Sequence, residues 1–124
     1  MKLGALRLED LPLLRESTDL ECKLAQGADG QGELPKDFWP TYSAMANAQG
    51  GLVLLGVREK AGVFSVAGVA KPDKLRTDLF NNLNNPAKVS VNLLTEAHVQ
   101  ELHWEGRVVL VVEIPQASRK LRPV

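Results

Sequence analysis

The chain of 124 residues has little cysteine, little histidine and no long apolar run. A lone cysteine, Cys22, cannot form an internal disulfide, so nothing in the sequence requires an oxidising compartment. One cysteine and two histidines, His98 and His103, do not supply a tetrahedral zinc site. No segment approaches the roughly 20 apolar residues that span a bilayer, and the N-terminus is unlike a signal peptide. We therefore expect a cytoplasmic protein with no membrane partner.

The motifs of common enzyme chemistry are also missing. No Gly-x-Ser-x-Gly sequence is present to build the nucleophile turn of a hydrolase. The glycine-rich segment Gln49–Gly56 lacks the Lys-Ser/Thr pair of a P-loop, and its glycines precede a strand instead of opening a helix. The 15 basic and 15 acidic residues cancel, which argues against a strongly electrostatic nucleic-acid binder. These absences favour a protein that is not an enzyme, and they indicate no particular cofactor.

The most informative stretch that is present is Tyr42–Val57, which has the pattern of a helix end, a glycine stop and a buried strand. Gly50 suits the position of positive φ that ends a helix. The segment Leu52–Val57 is apolar at nearly every position, as a central strand covered on both faces should be. The helix before it is expected to begin near Asp37, whose side chain can cap it, with Pro40 in the first turn.

Further elements follow from alternation and turn residues. The segment Leu20–Leu24 puts apolar residues on one face and charged residues on the other, which predicts a half-buried strand. Arg58–Gly62 is expected to be a hairpin turn that leads into a strand over Val63–Val69. A second helix opens at Pro72 or Asp73, with leucines along one face. Three strands then close the chain, namely Val89–Leu94, Val99–Trp104 and Val108–Ile114.

This order, β-α-β-β-α-β-β-β, predicts an α+β fold with a mixed sheet of about six strands and two main helices packed on one side. No repeat or linker divides the chain, so residues 1–124 are expected to form a single domain. The abrupt basic ending at Val124 suggests that this domain is part of a longer protein. An exposed edge strand at Val108–Ile114 would be able to pair two copies into a homodimer.

Basic residues fall into three groups that are candidates for contacting phosphate. Arg58 and Lys60 lie at the expected hairpin tip, Lys71, Lys74 and Arg76 lie at the start of the second helix, and Arg119, Lys120 and Arg122 lie in the C-terminal tail. Lysines at a helix start oppose the helix dipole, so they do not stabilise the helix itself. This favours a contact with nucleic acid, although the residues alone fit an ordinary solvated surface at least as well.

Acidic residues form the other candidate site. Carboxylates of Glu16, Glu21 and Glu59 would be able to hold Mg²⁺ or Mn²⁺ and support phosphodiester cleavage if the fold brought them together. Residues five apart on one strand point to opposite faces, so Glu16 and Glu21 share a site only if the chain turns between them. A solvated strand face with Lys23 as counter-charge is the simpler explanation of these residues.

Four segments together resemble the Schlafen AlbA-type DNA-binding domain. The Ala-Asn-x-x-Gly-Gly sequence followed by Gly-Val is the most specific of the motifs, and the resemblance runs from about Glu16 onward. It implies a DNA-binding domain at the N-terminus of transcriptional regulators or ATP-binding proteins, with further domains behind it. The segments are Leu20–Lys23, Ala44–Val57, Val66–Val69 and the pattern Val-x-Ile-Pro-x-Ala-x-x-x-x-Arg-Pro-Val that ends at Val124.

The same resemblance carries an alternative function. In eukaryotic Schlafen proteins a similar fold is implicated in RNA cleavage through three acidic residues, and Glu16, Glu21 and Glu59 occupy the matching positions. The resemblance therefore implies nucleic-acid binding, mainly through the phosphate backbone, as the first function. A nuclease that depends on Mg²⁺ or Mn²⁺ is the alternative.

Overall fold

A computed structural model describes residues 20–24, 34–85, 92, 94–104 and 106–118. Within these ranges six strands and two α-helices follow one another in the order β1-α1-β2-β3-β4-α2-β5-β6, which confirms the predicted α+β class. The helices are α1 (Phe38–Asn47) and α2 (Pro72–Leu83), and a short 3₁₀ turn, Glu96–His98, precedes β5. The strands are β1 (Leu20–Lys23), β2 (Gly51–Leu55), β3 (Val57–Lys60), β4 (Val63–Val66), β5 (Val99–Trp104) and β6 (Arg107–Ile114).

The six strands form two sheets. Four of them make a mixed sheet in the order β1-β2-β6-β5, in which β1 runs parallel to β2 while β6 runs antiparallel to both β2 and β5. Among the described strands, β3 and β4 pair only with each other, as an antiparallel hairpin. The expected mixed sheet is therefore present, but a two-stranded hairpin is separate from it.

Both helices cover one face of the four-stranded sheet, as predicted. The larger core cluster joins four buried side chains of α1 to the buried leucines of α2, and its sheet residues come mainly from β2 and β6. Fully burying one such side chain contributes about 1.5–3 kcal/mol, so each member of this cluster stabilises the fold. Its fully buried members include Phe38, Tyr42, Val53, Leu55, Leu75, Leu79 and Leu110.

The opposite face of the sheet is covered by the hairpin. Leu52 and Leu54 point to this side because side chains alternate along β2. Val57 and Phe64 of the hairpin pack against them, together with Leu20 of β1. Strand β2 is therefore buried on both faces, which explains why its sequence is continuously apolar.

Gly56 divides the stretch that was predicted to be one strand. Its φ of +99° turns the chain out of the sheet, so that β2 ends at Leu55 and β3 begins at Val57. The Gly56 carbonyl oxygen accepts hydrogen bonds from the backbone N–H groups of Ala67 and Gly68, at 2.9 and 2.8 Å. These bonds close the base of the hairpin, and the expectation of an unbroken strand over Leu52–Val57 is wrong for this reason.

The hairpin turn is shorter than the predicted Arg58–Gly62. Lys60 pairs with Val63, which leaves only Ala61 and Gly62 in the loop. Both have positive φ, +53° and +80°, as a two-residue turn of type I′ requires. The narrow turn leaves Arg58 and Lys60 within β3, where their side chains alternate with Val57 and Glu59.

Gly50 ends the first helix segment as predicted. Its φ is +79°, and its N–H donates to the Met45 carbonyl oxygen at 2.7 Å. Asp37 precedes α1, but its side chain makes no capping bond, so that detail of the prediction is wrong. The Asp37 carboxylate instead accepts from Lys23 Nζ at 3.0 Å, which ties the start of α1 to the end of β1.

Two further expectations concern the later strands. The strand predicted at Val89–Leu94 falls mostly outside the described residues. The segment Val108–Ile114 was expected to be an exposed edge, but β6 lies between β2 and β5, so this expectation is wrong. Neither described helix combines the length and the apolar character needed to cross a membrane.

Candidate nucleic-acid interface

The outer face of the β3–β4 hairpin carries two of the predicted basic residues. Arg58 pairs with Ser65 and Lys60 pairs with Val63, and all four side chains are exposed. They point away from the sheet because the alternate residues, Val57 and Phe64, are buried against it. Paired residues of neighbouring strands lie on the same face, so the two cations share one surface. We call Arg58, Lys60, Val63 and Ser65 the hairpin face.

The tip of the hairpin is held by an acidic side chain. Glu59 Oε1 accepts a hydrogen bond from the Gly62 backbone N–H at 2.6 Å. A carboxylate that accepts from a backbone N–H forms a charge-assisted hydrogen bond, which is stronger than a neutral one. Glu59 therefore closes the Ala61–Gly62 turn and fixes the strand end that carries Lys60.

The base of the hairpin is held by Arg107, which sequence reasoning did not single out. Its Nη1 donates to the Val66 carbonyl oxygen at 3.0 Å, and its side chain remains exposed. A Cβ at Gly68 would lie 3.1 Å from Arg107 Cβ, so the glycine lets the arginine pack directly on the chain. The neighbouring Val69 N–H donates to the Val108 carbonyl at 2.7 Å. Arg107 is thus a third cation, and it is bound to the base of the hairpin.

The basic residues of the second helix lie on the other side of the molecule. Helix α2 packs on the sheet face opposite the hairpin, so the four-stranded sheet separates Lys71, Lys74 and Arg76 from the hairpin face. Lys71 is exposed at the N-cap position and Lys74 is exposed in the first turn. Arg76 is half-buried, and its Nη2 donates to the Val99 carbonyl oxygen at 3.3 Å. The candidates Arg119, Lys120 and Arg122 lie outside the described residues, and the structure divides the other five predicted basic residues into two groups.

Two of the three predicted acidic residues, Glu21 and Glu59, lie within the described part of the chain. Glu21 pairs with Val53, whose side chain packs under the helices, whereas Glu59 pairs with Phe64, which packs on the opposite face. Glu16 lies outside the described residues. Within the described part of the chain, no group of three acidic, histidine or cysteine side chains is arranged to hold a metal ion. The metal site of Glu16, Glu21 and Glu59 stays a prediction.

Comparison with known proteins gives a family match and two structural neighbours. The family model described as Schlafen, AlbA_2 matches residues 16–123. The N-terminal domain of a Nitrosomonas europaea protein, named as related to the ATP-dependent DNA helicase RecG, has a TM-score of 0.69 and 29% identity, covering 94% of this chain and 75% of that one. The DIP2311 protein from Corynebacterium diphtheriae has a TM-score of 0.48 and 22% identity, covering 82% of this chain and 18% of that one. No curated protein matches the chain significantly.

Proposed function

Because the chain belongs to the Schlafen AlbA_2 family, we propose that it is a nucleic-acid-binding domain that contacts duplex DNA through its β3–β4 hairpin. The family match supports nucleic acid as the class of ligand. DNA is favoured because the neighbour from Nitrosomonas europaea is named as related to a DNA helicase. The observation that carries the proposal is the hairpin face, where Arg58 and Lys60 point outward from a ribbon whose other side is buried.

The shape of the hairpin suits a DNA groove. The major groove is about 12 Å wide and admits a two-stranded β-ribbon. Strands in such a ribbon lie about 4.8 Å apart, and alternate residues on one strand are separated by about 7 Å. Arg58 and Lys60 therefore form a short row of cations along the ribbon, and contacts to backbone phosphates position a protein without reading sequence.

Arg107 extends this row to the base of the hairpin. One of its five N–H donors is used by the Val66 carbonyl, and no other described residue accepts from it. The guanidinium is therefore able to hold the hairpin and contact a phosphate at the same time. Because the net charge of the chain is zero, we expect weak and strongly salt-dependent binding.

A duplex-binding titration compares the two basic groups directly. Fluorescence anisotropy with a labelled duplex between about 50 and 200 mM NaCl gives the salt slope, whose magnitude is about 0.9 for each phosphate that the protein neutralises. The double variant Arg58→Ala, Lys60→Ala should lower this magnitude by about 2 and weaken binding at low salt by roughly tenfold or more. The single variant Lys74→Ala, on the opposite side, should change affinity by less than about twofold.

The outcome of this titration discriminates between the two surfaces. A large drop in affinity with Lys74→Ala and none with the hairpin variant would move the interface to α2, where Lys71 and Arg76 are the remaining candidates. No binding of duplex DNA by the unsubstituted protein at tens of micromolar would refute the proposed function itself. Circular dichroism of each variant controls for loss of fold.

Metal-dependent cleavage by Glu16, Glu21 and Glu59 is the competing proposal. It is supported by the resemblance to Schlafen nucleases. A second support is the hydrogen bond from the Gly56 N–H to the Lys23 carbonyl at 2.8 Å. This bond joins the end of β1, which carries Glu21, to the residue that precedes β3, which carries Glu59. Mg²⁺ or Mn²⁺ would be held by carboxylate oxygens. Incubation of labelled RNA and DNA with Mn²⁺ should then show cleavage that Glu21→Gln abolishes. Intact substrates after incubation with the unsubstituted protein would refute it.

We also propose that the domain serves a longer transcriptional regulator in the cytoplasm. The family resemblance supports this arrangement, and the neighbour from Nitrosomonas europaea is itself an N-terminal domain. Chromatin immunoprecipitation of the tagged protein from its own cells should recover promoter DNA. Recovery of DNA that is not enriched for promoters would contradict the regulatory role while leaving DNA binding intact.

A further inference from the structure

A groove lies between the start of α1 and the last turn of α2, on the side of the molecule away from the hairpin. It has a volume of about 390 Å³ and is lined by Leu34, Pro35, Lys36, Trp39 and Asn82. Ligand pockets in proteins commonly have volumes of about 300–1,000 Å³. The lining joins one aromatic ring and two apolar side chains to one ammonium and one amide, a combination that complements the flat face and the polar edge of a nucleobase.

We propose that this groove binds an unpaired base of single-stranded nucleic acid, with the base stacked on Trp39 and its phosphate near Lys36. The inference rests on the proposed function, because nucleic acid is again the ligand. It adds a second contact surface, one that recognises unpaired nucleotides instead of duplex. Stacking on aromatic side chains is the usual way in which proteins hold single strands, because every base has a π face.

Trp39 is held in place before any ligand arrives. Its ring meets the ring of Phe38 edge to face, with centroids 4.8 Å apart at 87°, and the ring of Tyr42 at 5.8 Å and 78°. Phe38 and Tyr42 are almost completely buried, so they anchor the half-buried indole to the core. A side chain that is already ordered loses little conformational entropy when a ligand binds. The indole is therefore already ordered where it lines the groove.

The polar groups around the groove fit a nucleotide. The Asn82 side-chain nitrogen donates to the Asp78 backbone carbonyl at 2.8 Å, which orients the amide and leaves its oxygen as an acceptor for a base N–H. Lys36 is exposed, and it forms no ion pair with another described residue. The nearest acidic residue in sequence, Asp37, is paired with Lys23 at 3.0 Å. Lys36 is therefore the cation in the lining of the groove that is able to contact a phosphate.

Tryptophan fluorescence tests the stacking contact directly. The chain has two tryptophans, so Trp104→Phe leaves Trp39 as the only reporter. Titration with a short single-stranded oligothymidylate should quench this emission strongly and saturably, because a stacked base quenches an indole. A merely structural role of Trp39 would not produce quenching.

Thymidine monophosphate is the second probe, and weaker quenching by it would indicate that a strand, not a free nucleotide, is the ligand. Equal or stronger quenching by the mononucleotide would overturn the strand assignment, and no quenching by the oligonucleotide would overturn the proposal.

Substitutions within the groove are compared with an exposed neighbour on α2. In the Trp104→Phe background, Asn82→Ala and Lys36→Ala should each weaken oligothymidylate binding by several-fold, whereas the exposed neighbour Asn81→Ala should leave it unchanged within about twofold. Neither Asn82 nor Lys36 is part of the buried core, so these variants should fold. Equal behaviour of the groove variants and Asn81→Ala would overturn the proposal.

Duplex substrates separate this inference from the function on which it rests. Adding a short single-stranded tail to a duplex should tighten binding by roughly tenfold, the effect of about one stacked base, and Trp39→Leu should remove that increase. The variant Arg58→Ala, Lys60→Ala should weaken blunt duplex binding but preserve quenching of Trp39 by the oligonucleotide. Quenching without blunt duplex binding would refute the hairpin proposal alone. Blunt duplex binding with no effect of the tail would refute the groove alone.

Discussion

The close approach of Gly50 to the end of β6 predicts a large and specific cost for adding one methyl group. A Cβ at Gly50 would lie 2.5 Å from the Ile114 carbonyl oxygen and 3.1 Å from the Gln116 nitrogen, both of them backbone atoms. The backbone there is held by two bonds, from Gly50 N to Met45 O at 2.7 Å and from Ala117 N to Ala46 O at 2.8 Å. The surroundings therefore have little freedom to move away from a new side chain.

The chain contains two controls with the same backbone conformation but open space. Gly50, Gly62 and Gly106 have φ of +79°, +80° and +78°, and apart from the chain neighbours no described residue lies within 4 Å of a Cβ built on Gly62 or Gly106. An alanine in this left-handed region costs about 1–2 kcal/mol. Overpacking against fixed atoms adds about 1–3 kcal/mol. We expect Gly62→Ala and Gly106→Ala to lower the free energy of unfolding by about 1 kcal/mol each, and Gly50→Ala to lower it by about 3 kcal/mol.

Urea unfolding followed by circular dichroism measures these free energies of unfolding. The three variants should share one m-value, since a change in m would indicate a change in the unfolded or native ensemble. Equal losses of stability for all three alanines would refute the reasoning, because the cost at Gly50 would then come from φ alone. A destabilisation at Gly62 as large as the one expected at Gly50 would refute it in the same way.

Three further predictions concern stability. Ala61→Asn should raise the free energy of unfolding by about 0.5–1 kcal/mol, because asparagine tolerates the φ of +53° that alanine adopts in the turn; a lower melting temperature would contradict this. Leu79→Ala should lower the free energy of unfolding by about 2–5 kcal/mol, because this α2 side chain is fully buried. Its control, Thr77→Ala on the exposed face of the same helix, should change that free energy by less than about 0.5 kcal/mol in the same urea titration. Asp37→Asn should lower the free energy of unfolding by less than about 1 kcal/mol, since the Asp37 side chain is 72% exposed although that of Lys23 is only 10% exposed. This loss of stability should shrink in high salt. A loss that is independent of salt would exclude the ion pair as its cause.

The elements that the sequence predicted well are those with a strong local pattern. Leu75, Leu79 and Leu83 recur at helical spacing, and all three are buried in α2 as expected. The predicted strand Val99–Trp104 coincides with β5. The turn residue Gly50 was identified because a glycine between an apolar helix and an apolar strand is typical of a helix end with positive φ. The family motifs lie in these same segments, so the resemblance was visible without a structure.

The arrangement of the candidate site was not predictable in the same way. Nothing local to Arg107 indicates that its guanidinium bonds to Val66, which lies 41 residues earlier in the chain. The separation of Arg58 and Lys60 from Lys74 follows from the exit of the chain at Gly56, which sends the hairpin across one face of the sheet while α2 covers the other. An apolar run of five or six residues has the same pattern whether it is one strand or a strand followed by a sharp turn.

The amino-acid sequence by itself therefore determined the α+β class, the buried strand β2, the leucine face of α2 and the family. The tertiary structure alone decided that the hairpin is separate from the four-stranded sheet, that Asp37 pairs with Lys23 instead of capping α1, and which cations share a surface. The physical reason is the range of the interactions. Hydrophobic periodicity and glycine φ act over a few neighbouring residues, whereas the sheet order and the contacts of charged side chains depend on segments that only the folded chain brings together.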